Sequence, residues 1–122
     1  MTITKEQMAV YRASAQQRQR QQLEHLRQRH QLGMTVAQQA TELLKQEFRV
    51  EKVVLFGSMR SPDRVHERSD VDLAVWGLHP KHYYRAVGQL QGVHPDISVD
   101  LIEAESASPQ MLREIETIGI VL

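Results

Sequence analysis

VVLFGSMRSPDRVHERSDVDLAVW, residues 53–76, is the stretch that decides the fold of this chain. Val53-Val54-Leu55-Phe56 is a short apolar, partly β-branched run stopped by Gly57, as a buried strand is. After Gly57-Ser58 come eleven residues of irregular loop containing Ser61-Pro62-Asp63. Val71-Asp72-Leu73-Ala74-Val75-Trp76 then reads as a second strand, ended by Gly77. Asp70 and Asp72 stand two apart at its start. A strand alternates its side chains, so both carboxylates point to one side, their Cα atoms roughly 6.5–7 Å apart. Like charges so placed raise one another's pKa unless a cation sits between them, and a divalent metal is such a cation.

Outward from this stretch, Ile97-Ser98-Val99-Asp100-Leu101-Ile102 predicts a third strand interrupted by one acid. An unpaired buried charge costs several kcal/mol, so Asp100 needs a partner. If the second and third strands are neighbours, Asp100 faces Asp70 and Asp72. Three such carboxylates make a hard-oxygen site suited to Mg²⁺, which takes its remaining ligands from water and substrate phosphate. Gly57 permits a sharp turn with close approach to backbone N–H groups, and Ser58 adds a hydroxyl, so the strand end can hold phosphate oxygens. The chain has no G-x-x-x-x-G-K-[ST], so this is not a P-loop.

The flanks read mostly as helix. Residues 4–31 lack Gly and Pro and open on Thr4-Lys5-Glu6-Gln7, a capping box, which predicts a long helix ending near Gly33. Its apolar stripe, Met8, Tyr11, Ala15, Leu23 and Leu26, is broken by the polar run Gln16 to Gln22, so it projects or docks on a partner. Thr35-Val36-Ala37-Gln38 reads as a second capping box, opening a helix whose Val36, Ala40, Leu43, Leu44 and Phe48 face the core. Pro80 starts a helix carrying Tyr83, Val87 and Leu90 and closed by Gly92, and Ser108-Pro109 caps another with Met111, Leu112, Ile115 and Ile118. The order α, α, β, β, α, β, α predicts an α/β (α+β) fold, one small mixed sheet with helices packed on it.

A chain of 122 residues accommodates one core. No run approaches the roughly 18 apolar residues of a membrane span, and the N-terminus has no secretory core, so a cytoplasmic protein with no membrane partner is expected. With no cysteine there is no disulfide framework, thiolate nucleophile or cysteine-held metal. The net charge is zero, but residues 1–50 carry +4 and residues 51–122 carry −4. The arginines of the first helix, Arg12, Arg18, Arg20, Arg27 and Arg29, surround it among glutamines without interleaved aromatics, so direct nucleic-acid binding is not expected. His79 and His82 lack a third ligand at a convincing spacing, so zinc is not expected. Tyr83 and Trp76 fit the core, whereas Tyr84 is open as a base-stacking side chain.

Asp70-x-Asp72 by itself is a weak signal, because wet strands often carry two acids on one side. Gly57-Ser58, Asp70-x-Asp72 and Asp100 together resemble the signature of the DNA polymerase β-like nucleotidyltransferase superfamily in its minimal form. The resemblance implies residues 34–122 as the minimal nucleotidyltransferase domain and residues 1–33 as a helical extension. It implies that Asp70 and Asp72 hold two Mg²⁺ ions, that Asp100 binds the catalytic one and helps deprotonate the acceptor, and that Gly57, Ser58, Arg60 and Ser69 bind the nucleotide, ATP. The family often has Arg directly after Gly-Ser, where this chain has Met59-Arg60 and a loop one residue longer, so Arg60, Arg64 and Arg68 are alternatives for the triphosphate contact.

Solitary members resemble the antitoxin halves of HEPN–MNT toxin–antitoxin pairs, which implies transfer of AMP to a tyrosine of a HEPN-type toxin partner. A binding antitoxin that masks its partner, and a transferase acting on a small molecule or RNA, are the alternatives. Homo- or hetero-oligomeric assembly is left open.

Overall fold

A computed structural model describes residues 2–122. Helix α1 (Lys5–Phe48) runs unbroken for 44 residues, about 66 Å at 1.5 Å per residue. The first capping box forms as read: Thr4 Oγ1 accepts from Gln7 N–H at 3.1 Å and Gln7 Oε1 from Thr4 N–H at 2.9 Å. The helix ends at Arg49, in the left-handed region at φ 53°, whose N–H donates to the Leu44 carbonyl.

The expected break at Gly33 is absent, which corrects the reading of two helices. Thr35 is an interior residue, its hydroxyl bonded back to Gln31 O at 3.2 Å. A lone interior glycine costs a helix only about 1 kcal/mol. The buried stripe Gly33, Val36, Ala37, Ala40, Thr41, Leu44 and Phe48 keeps one face on the globule across the supposed break, and its packing outweighs that cost. Gly33 is there for contact: a methyl group on it would overlap the Met59 side chain. Residues 2–25 are exposed apart from the half-buried Ser14. This part grows from the packed half as an extension of an existing helix, which needs no new nucleus.

Four strands follow: β1 (Lys52–Phe56), β2 (Val71–Trp76), β3 (Val99–Glu103) and β4 (Ile120–Val121). They form one sheet of order β3-β2-β1-β4, with β2 and β3 parallel and the other pairs antiparallel. The third strand begins two residues later than expected, because Ser98 serves as a lead-in, its carbonyl accepting from Val71 N–H at 3.0 Å. The two residues of β4 are a strand only through their pairing with Val54 and Leu55, and nothing local in the sequence marks them.

Helix α2 (Tyr83–Gln91) follows a 3-10 turn, Pro80–His82, and helix α3 (Pro109–Ile118) starts at Ser108, whose hydroxyl accepts from Met111 N–H at 3.1 Å. The sheet's two faces are unequal. Val53, Leu55, Leu73, Val75, Val99 and Leu101 lie in the main core with α1 and α2. On the opposite face Val54, Ala74 and Ile115 make a small cluster edged by Phe56, Trp76 and Ile102. Alternation puts Asp72 and Asp100 on this second, thinly covered face. Among the described residues no helix is long and apolar enough to cross a membrane.

Candidate active site

The parallel register pairs Asp72 with Asp100, and the antiparallel one pairs Asp72 with Phe56, the residue before Gly57. Neighbouring strands lie about 4.8 Å apart, so both carboxyl groups stand together beside the Gly57 turn. The Asp72 carboxyl is pushed from its ordinary 3.8 up to about 6, first by burial, then by the charges of Asp100 and Asp70, with a hydrogen bond to Asp100 adding to it. Asp100, read from the sequence as a buried charge, is instead exposed at the sheet edge, because among the described residues no element covers β3 on this face beyond the small cluster around Ile115.

Gly57 has φ +75° and ψ −164°, a region open essentially to glycine alone. A methyl group on it would overlap Asp72 Oδ2. The turn thus needs glycine both for its backbone and for its approach to the acid.

Asp70 precedes β2 and stands apart from the pair. Its Oδ1 accepts from Ser98 N–H at 3.3 Å and lies 3.6 Å from Arg29 Nη2. Among the described residues no three His, Cys, Asp or Glu side chains are grouped closely enough to hold a metal ion as they stand, so the expected convergence is reached by two acids and approached by the third. The donor set still fits a hard divalent cation. It offers carboxylate oxygens, two of them on the directly paired residues Asp72 and Asp100, and a cradle at Gly57 kept free of side chain.

Beside the acids, Gly57, Ser58, Arg60, Arg64, Glu114 and Ile118 line a hollow of about 360 Å³. This separates the three loop arginines. Arg60 and Arg64 line the hollow, and neither makes an ion pair among the described residues. Arg68 lines a different hollow, with Gln22, Leu26, His66 and Glu67.

Ser69, expected at the nucleotide, is 2% exposed and does not line the hollow. Its Oγ accepts from Ser58 Oγ and from His66 N–H, both at 2.8 Å, so the structure places it behind the turn as a brace for Ser58. Tyr83 is half-buried and packs against the core, its hydroxyl donating to Leu101 O at 2.8 Å, and Tyr84 is 85% exposed, away from the acids' sheet face on α2. The rings of His79 and His82 lie 5.6 Å apart between centroids, tilted by 48°, and belong to no metal-holding group among the described residues. Arg29 is the residue the sequence did not mark: the broken stripe of its helix hid that the globule-facing side begins near Leu26.

Residues 38–122 match the family described as polymerase beta, nucleotidyltransferase. The chain belongs to that family. The nucleotidyltransferase segment contains β1 to β4 and begins inside α1. Solved structures share the fold. A toxin–antitoxin with AMP-PNP aligns at 25% identity and TM-score 0.55, over 68% of this chain and 69% of that one. A mutant of the toxin–antitoxin MntA–HpeT aligns at 24% identity and TM-score 0.58, over 70% of each chain. The toxin–antitoxin MntA–HepT aligns at 23% and 0.54, over 72% of this chain and 69% of that one. No curated protein matches the chain.

Proposed function

We propose that this nucleotidyltransferase is a cytoplasmic antitoxin that moves AMP from ATP to a hydroxyl, a tyrosine's, on a HEPN-type toxin and so silences it. The observation that carries the transferase reading is the Asp72–Asp100 pair beside the Gly57 turn, with Arg60 and Arg64 along the adjoining hollow. Likeness to toxin–antitoxin structures, one of them with an ATP analogue, supports the kind of partner and the nucleotide.

Gly57 lets the triphosphate approach the backbone, Ser58 is held in place by Ser69, and Arg60 and Arg64 offset the phosphate charge. When bound, two Mg²⁺ ions held by Asp70, Asp72 and Asp100 supply Lewis acidity at the α-phosphate and lower the pKa of the acceptor hydroxyl. The acceptor oxygen bonds to the α-phosphorus, the bond to pyrophosphate breaks, and the hydroxyl proton passes to Asp100. Positioning and electrostatics do most of this chemistry. The exposed half of α1, residues 5–25, is the surface offered to the toxin.

The chain is tested by incubation with labelled ATP, Mg²⁺ and a HEPN-type toxin. Label on that protein, lost when Asp72 becomes Asn, is expected. An unlabelled partner, or one labelled equally by Asp72→Asn, overturns the proposal, and neutralisation without label identifies a masking antitoxin instead.

A further inference from the structure

Helix α1 touches the loop between β1 and β2 at three places along one side. Gln22 Nε2 donates to Glu67 Oε1 at 2.9 Å, Arg29 reaches Ser69 and Asp70, and Gly33 receives Met59. Arg29 and Gly33 are four apart and share a helix face. The first two of these contacts, and Gly33, precede the family segment, which starts at residue 38.

The middle contact is the most constrained. Arg29 Nε and Nη2 both donate to the Ser69 carbonyl, at 3.0 and 2.8 Å, and Nη2 lies 3.6 Å from Asp70 Oδ1. The Arg29 side chain is 22% exposed, and Ser69 is the buried brace of Ser58. Asp70 sits one residue before β2, where only Val71 N–H and its own side chain tie it to Ser98. A buried carbonyl that loses its donors costs about 1–3 kcal/mol, so the peptide between Ser69 and Asp70 would shift to find others.

We propose that Arg29 is a positioning residue for the candidate metal site: its guanidinium fixes the Ser69–Asp70 peptide and thereby sets Asp70 within reach of Asp72 and Asp100. This rests on the reading that those three acids bind metal and nucleotide. Two donors forking onto one carbonyl, with a third contact to the next carboxylate, is a task for a planar guanidinium that a lysine ammonium does not reproduce. Residues that orient metal ligands typically change metal affinity or activity 10- to 100-fold when removed.

The full chain is compared with Arg29→Ala, Arg29→Lys and Asp72→Asn by calorimetric titration of Mn²⁺ in the presence of AMP-PNP, with melting temperature followed in parallel. Arg29→Ala is expected to weaken Mn²⁺ binding about 10- to 100-fold, with Arg29→Lys restoring little of it. His25, Leu26, Arg29 and Glu67 line a hollow of about 180 Å³, so millimolar methylguanidinium is expected to restore binding to Arg29→Ala and not to Asp72→Asn. Wild-type affinity in Arg29→Ala while Asp72→Asn has lost binding overturns the positioning role and leaves the reading of the acids standing. A loss in Arg29→Ala that only follows its melting temperature, without rescue, also overturns it. Wild-type affinity in Asp72→Asn overturns the reading of the acids, and the role of Arg29 with it.

Discussion

Replacing Asp72 with Asn should stabilise the metal-free protein while abolishing transfer. The Asp72 carboxyl is raised from 3.8 to about 6 by burial and by the charges of Asp100 and Asp70. Because the folded chain holds this proton more tightly than the unfolded chain, the associated stability is fully present below about pH 4 and is lost as pH rises through 6. At 1.36 kcal/mol per pH unit the gap corresponds to roughly 3 kcal/mol for a sealed site. Asp72 is only half-buried, and solvent screening brings this to about 1–2 kcal/mol. An asparagine amide resembles the protonated acid and removes the repulsion. Scanning calorimetry without divalent metal should show a melting temperature higher by about 3–10 °C near pH 7.5, and a gain close to zero at about pH 3, where the acid is protonated in the folded and the unfolded chain alike. An unchanged or lower melting temperature near pH 7.5, or an equal gain at both values, would refute the account of a frustrated acid pair.

Three further outcomes are expected. Gly57→Ala places a side chain at φ +75° and against Asp72, so chemical denaturation should show a loss of at least about 1–3 kcal/mol together with loss of transfer; a stable, active variant would contradict the need for glycine. Gly33→Ala gains about 1 kcal/mol of helix propensity but overpacks the fully buried Met59 by about 1–3 kcal/mol, so a net loss near 1 kcal/mol is expected, and a rise in the denaturation midpoint would refute the packing role. Arg60→Ala and Arg64→Ala should each weaken ATP binding about tenfold or more, as loss of a charge-assisted hydrogen bond does. Arg68→Ala, whose side chain lines another hollow, should leave it unchanged; titration calorimetry separates the three.

The helix that the proposed partner would meet is also the one that touches the loop of the candidate site. The same rigid helix that offers residues 5–25 to solvent carries Gln22, Arg29 and Gly33, which hold the loop of the candidate site. Residues 5–25 carry Lys5, Arg12, Arg18 and Arg20 against Glu6 and Glu24, a net positive charge that favours an acidic surface.

Local pattern determined much of this protein. Short apolar, partly β-branched runs ended by glycine marked β1 and β2, Ser108 and Pro109 marked α3, and Asp70, Asp72, Asp100, Gly57 and Ser58 drew notice because acids within strands and a sharp turn at a strand end each need a compensating reason in the sequence itself; the burial expected of Asp100 is not found, since it lies exposed on β3. Several features had no local signal. The continuity of α1 through Gly33 depends on its buried stripe packing on the globule, the glycine itself on Met59, 26 residues away along the chain, and β4 exists only as a partner of β1. That Ser69 braces Ser58, which loop arginines line the hollow, and that Arg29 reaches Asp70 were decided when distant segments met. A sequence records what each residue needs from its neighbours along the chain, but a hydrogen bond between residues 29 and 69 is set by how a helix lies across a sheet, and that is a property of the packed whole.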